Sequence, residues 1–365
     1  MKQRRERLST YLKEKQIDVA LINSPENFFY LTGFQTDPHE RLLALLVFPE
    51  ADPVAVLPGM EKGQLLDSGW TGEVIGYADH EDPWLMMKGK MDERGSGVQT
   101  VSIEKEVLSY GRSESFFGLF DEVGVEDIAP YMNEMRVIKD ESEISIMREA
   151  AELADYGVKV GVEALREGVT EMEVIATIEY ELKKKGVTQM SFSTMALFGE
   201  KSGQPHGNPG DRKLKPGDLV LFDLGVVWKG YTSDITRTFA YQSVTDEQRT
   251  IYNKVLEALG ASLAISKPGT RIGALDQTAR DIITEAGYGD LFPHRIGHGL
   301  GINVHEFPSM SHLNDGILQK GMTYTIEPGI YDPSVGGVRI EDDVLITEDG
   351  YETLTKTSKE LRIIE

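Results

Sequence analysis

The second half of the chain repeats its own order of elements, and this restricts the possible folds more than any other feature. An apolar periodicity from Glu141 to Leu165 predicts a helix, then comes Gly168 and a second helix opened by Thr170-Glu171-Met172-Glu173. The Thr-x-x-Glu spacing is a capping box, in which side chains satisfy the first free N–H groups of a helix. Further on, Thr245-Asp246-Glu247-Gln248 opens a helix running to about Ile265, and Gly269 precedes another that ends at Gly287. Gly168 and Gly269 are 101 positions apart, as are Gly186 and Gly287. Strand-rich sequence follows each helix pair, over Asp218–Phe239 and Met322–Ile346. Such a duplication predicts an α+β domain with a curved antiparallel sheet in the middle, helices outside and a site near the pseudo-twofold axis.

The first part reads differently. Leu8, Tyr11 and Leu12 share a helical face, Val19–Ile22 is a short apolar strand, and Asn23-Ser24-Pro25 breaks it. Leu42–Phe48, Val54–Leu57, Val74–Tyr77 and Val101–Ile103 read as further strands, with a helix over Ser113–Phe120. Interleaved strands and helices predict a separate α/β domain over 1–130, with the duplicated domain over 131–365.

Composition excludes several functions. With 38 Lys+Arg against 60 Asp+Glu the net charge is −22, which argues against nucleic acid or an anionic membrane surface as partner. The absence of cysteine removes disulfides, thiolate metal sites and cysteine nucleophiles. Met-Lys-Gln-Arg-Arg-Glu-Arg has no apolar stretch behind it, and the longest apolar run, Leu42–Phe48, is far short of a membrane span. A cytoplasmic protein is the expectation.

Four short segments carry chemistry. In Leu219–Phe239, two apolar runs flank Lys229-Gly230, which reads as a two-residue hairpin turn. That register sets Asp234 opposite Gly225 and on the same face as Asp223, with the glycine leaving space between the carboxylates. Two buried carboxylates so placed repel unless a cation compensates, although a solvent-facing pair of ordinary acids fits the same pattern. His294-Arg-Ile-Gly297-His298-Gly299-Leu-Gly301-Ile-Asn-Val-His305-Glu306-Phe-Pro308 holds three of the seven histidines, with His298 framed by glycines. It is neither a dinucleotide-binding pattern, since Ile302 stands where Gly or Ala is needed, nor a zincin helix, since position 309 is Ser. Thr325-Ile326-Glu327-Pro328-Gly329 places Glu327 at the end of a strand stopped by Pro-Gly. Val338-Arg339-Ile340-Glu341 places Glu341 in a strand, in phase with Arg339.

Together these segments resemble the pita-bread metallopeptidases, the family of methionine aminopeptidase, aminopeptidase P and prolidase, from about Glu134 to the C-terminus. The resemblance implies that Asp223, Asp234, His298, Glu327 and Glu341 bind two divalent ions. It makes His206, in Pro205-His206-Gly207-Asn208-Pro209, and His305 the histidines on the substrate side. The run Asn27-Phe-Phe-Tyr-Leu-Thr-Gly33-Phe34 is similar to the N-terminal domain shared by creatinase, aminopeptidase P and prolidase. Thr36-Asp37-Pro38-His39-Glu40-Arg41 resembles a bacterial prolidase loop that overhangs the active site across a dimer interface, which implies a homodimer and substrate contacts from His39 and Arg41. His294 and Arg339 complete the substrate-side set, Arg339 being read also as a group that orients a carboxylate. Some prolidases carry an Arg directly after His-Glu-x-Pro to hold the substrate carboxylate. Here that position is Ser309, which leaves Arg41, Arg295 and Arg339 as candidates.

Four carboxylates balance two divalent ions, and an oxygen-rich donor set favours Mn²⁺, with Co²⁺, Fe²⁺ and Zn²⁺ open. The implied activity is hydrolysis of the Xaa-Pro bond in short proline-containing peptides by a water activated between the two ions, with Glu327 as proton shuttle. The chain reads as an Xaa-Pro dipeptidase. The alternatives are aminopeptidase P acting on longer peptides, or a non-catalytic binding relative of the same fold.

Overall fold

Short apolar runs bounded by turn residues become the strands of the first unit. The computed structural model describes residues 1–94 and 97–365. It divides into two units, Met1–Met135 and Arg136–Glu365. In the first, β1 (Val19–Ile22), β2 (Ala44–Val47), β3 (Val54–Pro58), β4 (Glu73–Tyr77), β5 (Thr100–Ile103) and β6 (Gly124–Asp127) form one sheet in the order β4-β3-β2-β1-β5-β6. β1 runs antiparallel to β2 and parallel to β5. The helix expected over Ser113–Phe120 lies earlier, at Tyr110–Phe117, because the Ser109 hydroxyl caps it by accepting from the Arg112 N–H. The Asn27–Gly33 run is a framework motif. The buried Glu104 carboxylate accepts from the backbones of Asn23 and Ser24, from Ser24 Oγ and from Asn27 Nδ2, which holds the start of helix Pro25–Thr32. Gly33 ends that helix at φ +81°, where only glycine sits without strain.

The second unit carries the duplication in its backbone. Helices Glu141–Ala164 and Glu171–Lys184 form one pair, and Asp246–Ala264 and Ile272–Glu285 the other. Both expected capping boxes are present, at Thr170/Glu173 and Thr245/Gln248. Gly168 N–H donates to the Leu214 carbonyl and Leu214 N–H to Val169, while Gly269 N–H donates to Leu318 and Leu318 N–H to Thr270. The same local knot is thus tied in each half. One core packs the first helix pair on the first set of strands through Ile178, Phe222 and Phe239; a second packs the other pair through Val255, Ile283 and Tyr324.

The central sheet is divided into hydrogen-bonded pieces. One joins Met195–Phe198, Leu219–Leu224, Ile235–Tyr241 and Ile363–Ile364; another joins Glu306–Ser309, His298–Gly299, Thr323–Ile326, Asp342–Ile346 and Tyr351–Thr353. The four-stranded piece is joined to the segment leading into the five-stranded one where Glu341 N–H donates to the Thr236 carbonyl and Thr238 Oγ1 to the Arg339 carbonyl. Strand Thr323–Ile326 ends, as expected, just before Glu327 and Pro328-Gly329, and the next strand, Gly329–Asp332, belongs to another sheet. One local expectation is corrected: Glu341 lies between strands Gly336–Arg339 and Asp342–Ile346 rather than within one. The bend at Ile340-Glu341 is where the backbone passes from a two-stranded piece, Gly329–Asp332 with Gly336–Arg339, into the five-stranded one.

Candidate metal centre

The hairpin register carries through to the acidic pair: Trp228 faces Tyr231, Val227 faces Thr232 and Asp223 faces Thr236. Gly225, however, serves the backbone rather than opening space between the carboxylates. A Cβ there would fall 1.9 Å from the Ser233 carbonyl oxygen, so glycine lets the strands close beside Asp234.

Asp223, Asp234, His298, Glu327 and Glu341 all line one cavity of about 380 Å³. His206, His294, His305, Arg295 and Arg339 line it too. Donor atoms of Asp234, His298 and Glu341 lie within 4.8 Å of one another. His298 Nε2 stands 3.7 Å from Asp234 Oδ2 and 3.4 Å from Glu327 Oε1. Asp223 and Glu327 are 104 positions apart, the spacing that also separates Leu214 from Leu318, so the duplicated strands supply one acid each.

The electrostatics identify what the cavity accommodates. Burial, and then Glu341 and Asp223, push Asp234 well above the carboxylate range; burial, Glu327 and Asp223 do the same to Glu341. Burial moves Glu327 up to about 7 against the pull of Arg339. Oδ1 of Asp223 and Oδ1 of Asp234 are buried without a hydrogen-bond partner. Burial, reinforced by His305, lowers His298 to about 3, so the ring is neutral. Its Nδ1 lies 3.1 Å from the Gly299 carbonyl, which assigns the proton there and turns the Nε2 lone pair toward two carboxylates. A neutral imidazole lone pair and crowded, mutually repelling carboxylates, two of whose oxygens lack any donor, form a donor set suited to divalent cations.

Supporting partners that sequence reading missed are Thr236, Tyr331, Arg136 and Lys139, and all but Tyr331 lie far away along the chain from the groups they hold. Arg339 donates from Nε to Thr236 Oγ1 at 3.0 Å, from Nη1 to the Tyr331 hydroxyl at 2.9 Å, and from Nη2 to Asp223. Thr236 Oγ1 in turn donates to Glu341 Oε2 at 2.7 Å. Beside His305, Glu306 is buried against Arg136, with Lys139 Nζ at 3.6 Å. Burial opposes its ionisation, but Arg136 and Lys139 overcome that and hold it below its ordinary range. His294 bridges the Arg295 carbonyl and the Tyr331 hydroxyl, and burial lowers it to about 4. In the first unit, Arg41 is engaged by Asp79, at 2.8 and 3.1 Å, and the His39 ring lies 3.6 Å from the Asp37 carboxylate. Neither is among the residues lining the cavity.

The segment carrying His206 hangs from a single buried acid. Glu171 accepts from the Phe198 N–H at 2.9 Å, from the Gly210 N–H at 2.8 Å and from Lys201 Nζ, so it ties both ends of 199–210 to the start of a helix. Its capping-box neighbours gave a sequence signal for the helix start and none for this role. Glu171→Gln is expected to cost about 2 kcal/mol, the scale of charge-assisted hydrogen bonds, and to raise KM more than it lowers kcat. Thermal melting and steady-state kinetics check this, and an unchanged melting temperature would contradict it.

The buried acidic and histidine cluster in a strand-duplicated unit defines a candidate metal-binding protein. A model of metallopeptidase family M24 matches residues 145–348, and one of the creatinase/prolidase N-terminal domain matches 4–138. A protein of Bacillus subtilis (strain 168) named "Putative dipeptidase YkvY" is 56% identical over 359 residues, 98% of this chain and 99% of its own. Among solved structures, the prolidase from Pyrococcus horikoshii OT3 superposes with a TM-score of 0.90 at 35% identity, covering 98% of this chain and 99% of that one. The Xaa-Pro dipeptidase from Bacillus anthracis does so with 0.92 at 33%, covering 99% of each. An X-Pro aminopeptidase from Thermotoga maritima gives 0.86 at 31%, covering 96% and 98%. The chain belongs to metallopeptidase family M24. It has the pita-bread catalytic fold preceded by a creatinase-type α/β domain. No helix among the described residues is long and apolar enough to cross a membrane.

Proposed function

We propose that this chain is an Xaa-Pro dipeptidase that binds two divalent ions, Mn²⁺ foremost, through Asp223, Asp234, His298, Glu327 and Glu341. The observation that carries the reading is the convergence of these five side chains on one cavity, with partnerless carboxylate oxygens and an inward-facing imidazole lone pair. The ions supply Lewis acidity, making water nucleophilic near neutral pH and drawing charge from the scissile carbonyl.

The chain's own groups do the rest. Glu327 takes the proton released by the attacking water on a carboxylate oxygen and passes it to the departing prolyl nitrogen. His206 and His305, both exposed on the cavity wall, hold the substrate and donate to the oxygen on which charge develops. The Glu306–Arg136–Lys139 cluster fixes the segment from which His305 projects. Arg339 spends its donors on Asp223, Thr236 and Tyr331, so it aligns the acids rather than touching substrate. His39 and Arg41 act, in this reading, on the site of the other protomer of a homodimer in the cytoplasm. The likenesses to a prolidase and an Xaa-Pro dipeptidase over nearly the whole chain support dipeptides as substrates.

Metal-stripped and Mn²⁺-restored protein assayed on Ala-Pro, Ala-Pro-Gly and Met-Ala tests the proposal. Cleavage of Ala-Pro alone, and only after restoration, is the expected result. Cleavage of the tripeptide would assign aminopeptidase P instead, and inertness toward all three would overturn the catalytic reading in favour of a binding relative.

A further inference from the structure

Arg237 is 1% exposed and is not among the residues that line the metal cavity. A guanidinium carries five N–H groups, and here every one has an acceptor. Nη1 donates to the Thr236 carbonyl at 2.9 Å and to the Glu341 carbonyl. Nη2 donates to Asp342 Oδ1 and to the Thr357 carbonyl, both at 2.7 Å, and Nε to the Thr357 carbonyl at 3.0 Å. A buried cation so fully spent has nothing left for a substrate and holds its neighbours in place. One of those neighbours is Glu341, and another belongs to the segment 355–359 near the C-terminus.

That segment is a strap between the duplicated halves. On one side Asp155, in helix Glu141–Ala164, accepts from the N–H groups of Lys356 and Thr357 at 2.7 Å and from Thr357 Oγ1 at 2.6 Å. On the other, the Tyr252 hydroxyl, in helix Asp246–Ala264, donates to the Lys359 carbonyl at 2.7 Å. The strap also reaches Asp234. Asp343 Oδ2 accepts from the Asp234 N–H at 3.1 Å, and the Asp343 N–H donates to Thr355 Oγ1 at 3.2 Å. Asp234 and Glu341 are two of the three residues whose donor atoms lie within 4.8 Å of one another. Each is tied to the strap through one intervening residue, Asp343 in the first case and Arg237 in the second.

We propose that Arg237 is a positioning residue for the metal centre, and that the strap 355–359, acting through Arg237 and Asp343, sets the spacing of Glu341 and Asp234. The assignment rests on the metal-binding reading above and deepens it: affinity for the ions depends on a segment that touches neither ion nor substrate.

Calorimetric titration of Mn²⁺ into the metal-stripped full chain, well below its melting temperature, tests the assignment. Arg237→Lys keeps the charge and loses the fork, and it is expected to weaken Mn²⁺ binding by about 10–100-fold, the range for groups that orient metal ligands. Asp155→Ala releases the strap at a half-buried position remote from the cage and should cost a smaller factor, about 3–10-fold. In both variants activity on Ala-Pro should fall at limiting Mn²⁺ and return with excess. A merely structural role would lower the melting temperature of the metal-free chain and leave the Mn²⁺ affinity of the folded protein as it was. Variants with a parent-like far-UV circular dichroism spectrum and parent-like affinity therefore overturn the assignment while leaving the metal-binding reading intact. If Arg237→Lys does not fold, Asp155→Ala decides alone. A parent that takes up no Mn²⁺ overturns the metal-binding reading and this assignment with it.

Discussion

Asp234→Asn is expected to lower kcat/KM on Ala-Pro by about three orders of magnitude, the scale lost when preorganised charge stabilisation is removed. Asp234 belongs to the tightest group of donors, with His298 and Glu341, and its carboxylate is buried where Glu341 and Asp223 already repel it. An amide keeps the shape and loses the charge, so metal analysis should find fewer ions per chain in the variant. Stability should move the other way in metal-free protein. Removing one of several repelling buried charges should raise the melting temperature by a few degrees. In the parent, ions at a hundred times Kd would add about 2.7 kcal/mol, roughly 5–10 °C for a unit of this size. The variant should gain much less. A variant with full activity and normal metal content would refute the assignment of Asp234 as a ligand.

Glu327→Gln separates binding an ion from moving a proton. Glu327 follows strand Thr323–Ile326, its N–H donates to the Ile296 carbonyl at 2.8 Å, and Oε1 lies 3.3 Å from Thr325 Oγ1. As a carboxylate beside the attacking water it can accept a proton and return it to the leaving nitrogen. The expected result is a fall in kcat of about 10²–10⁴-fold with KM for Ala-Pro nearly kept, the range found for loss of general acid–base catalysis. Excess Mn²⁺ should restore metal content without restoring kcat. If activity returns together with the metal, Glu327 holds an ion and carries no proton, and the mechanism above is wrong at that step.

The prolidase and the X-Pro aminopeptidase that this chain resembles superpose on it alike, so a difference in substrate is sought in the wall of the cavity. In this chain the wall is asymmetric. One side is the His206 segment tied down by Glu171, and the other is the His305 segment tied down by Glu306 and Arg136. Each is anchored by a buried acid a short distance from an exposed histidine. Both histidines are exposed on the cavity wall.

Much of this was legible along the chain because its causes are local. A capping box needs only positions i and i+3, so the helices at Thr170 and Thr245 announce themselves. A two-residue turn at Lys229-Gly230 dictates every facing pair as far as Asp223 and Thr236. The donors stand out because acids within apolar runs and a histidine among glycines conflict with ordinary core chemistry. What stayed hidden depends on partners more than a hundred positions apart: Arg339 with Asp223, Thr236 with Glu341, Arg136 with Glu306. No periodicity records such pairs, because they arise only when two duplicated halves and their connecting bends pack together. The three arginines that sequence left equivalent were told apart in the same way. One is saturated by neighbours, one is held by Asp79, and only Arg295 keeps a face open, a distinction that exists in the packed chain and nowhere in the order of its residues.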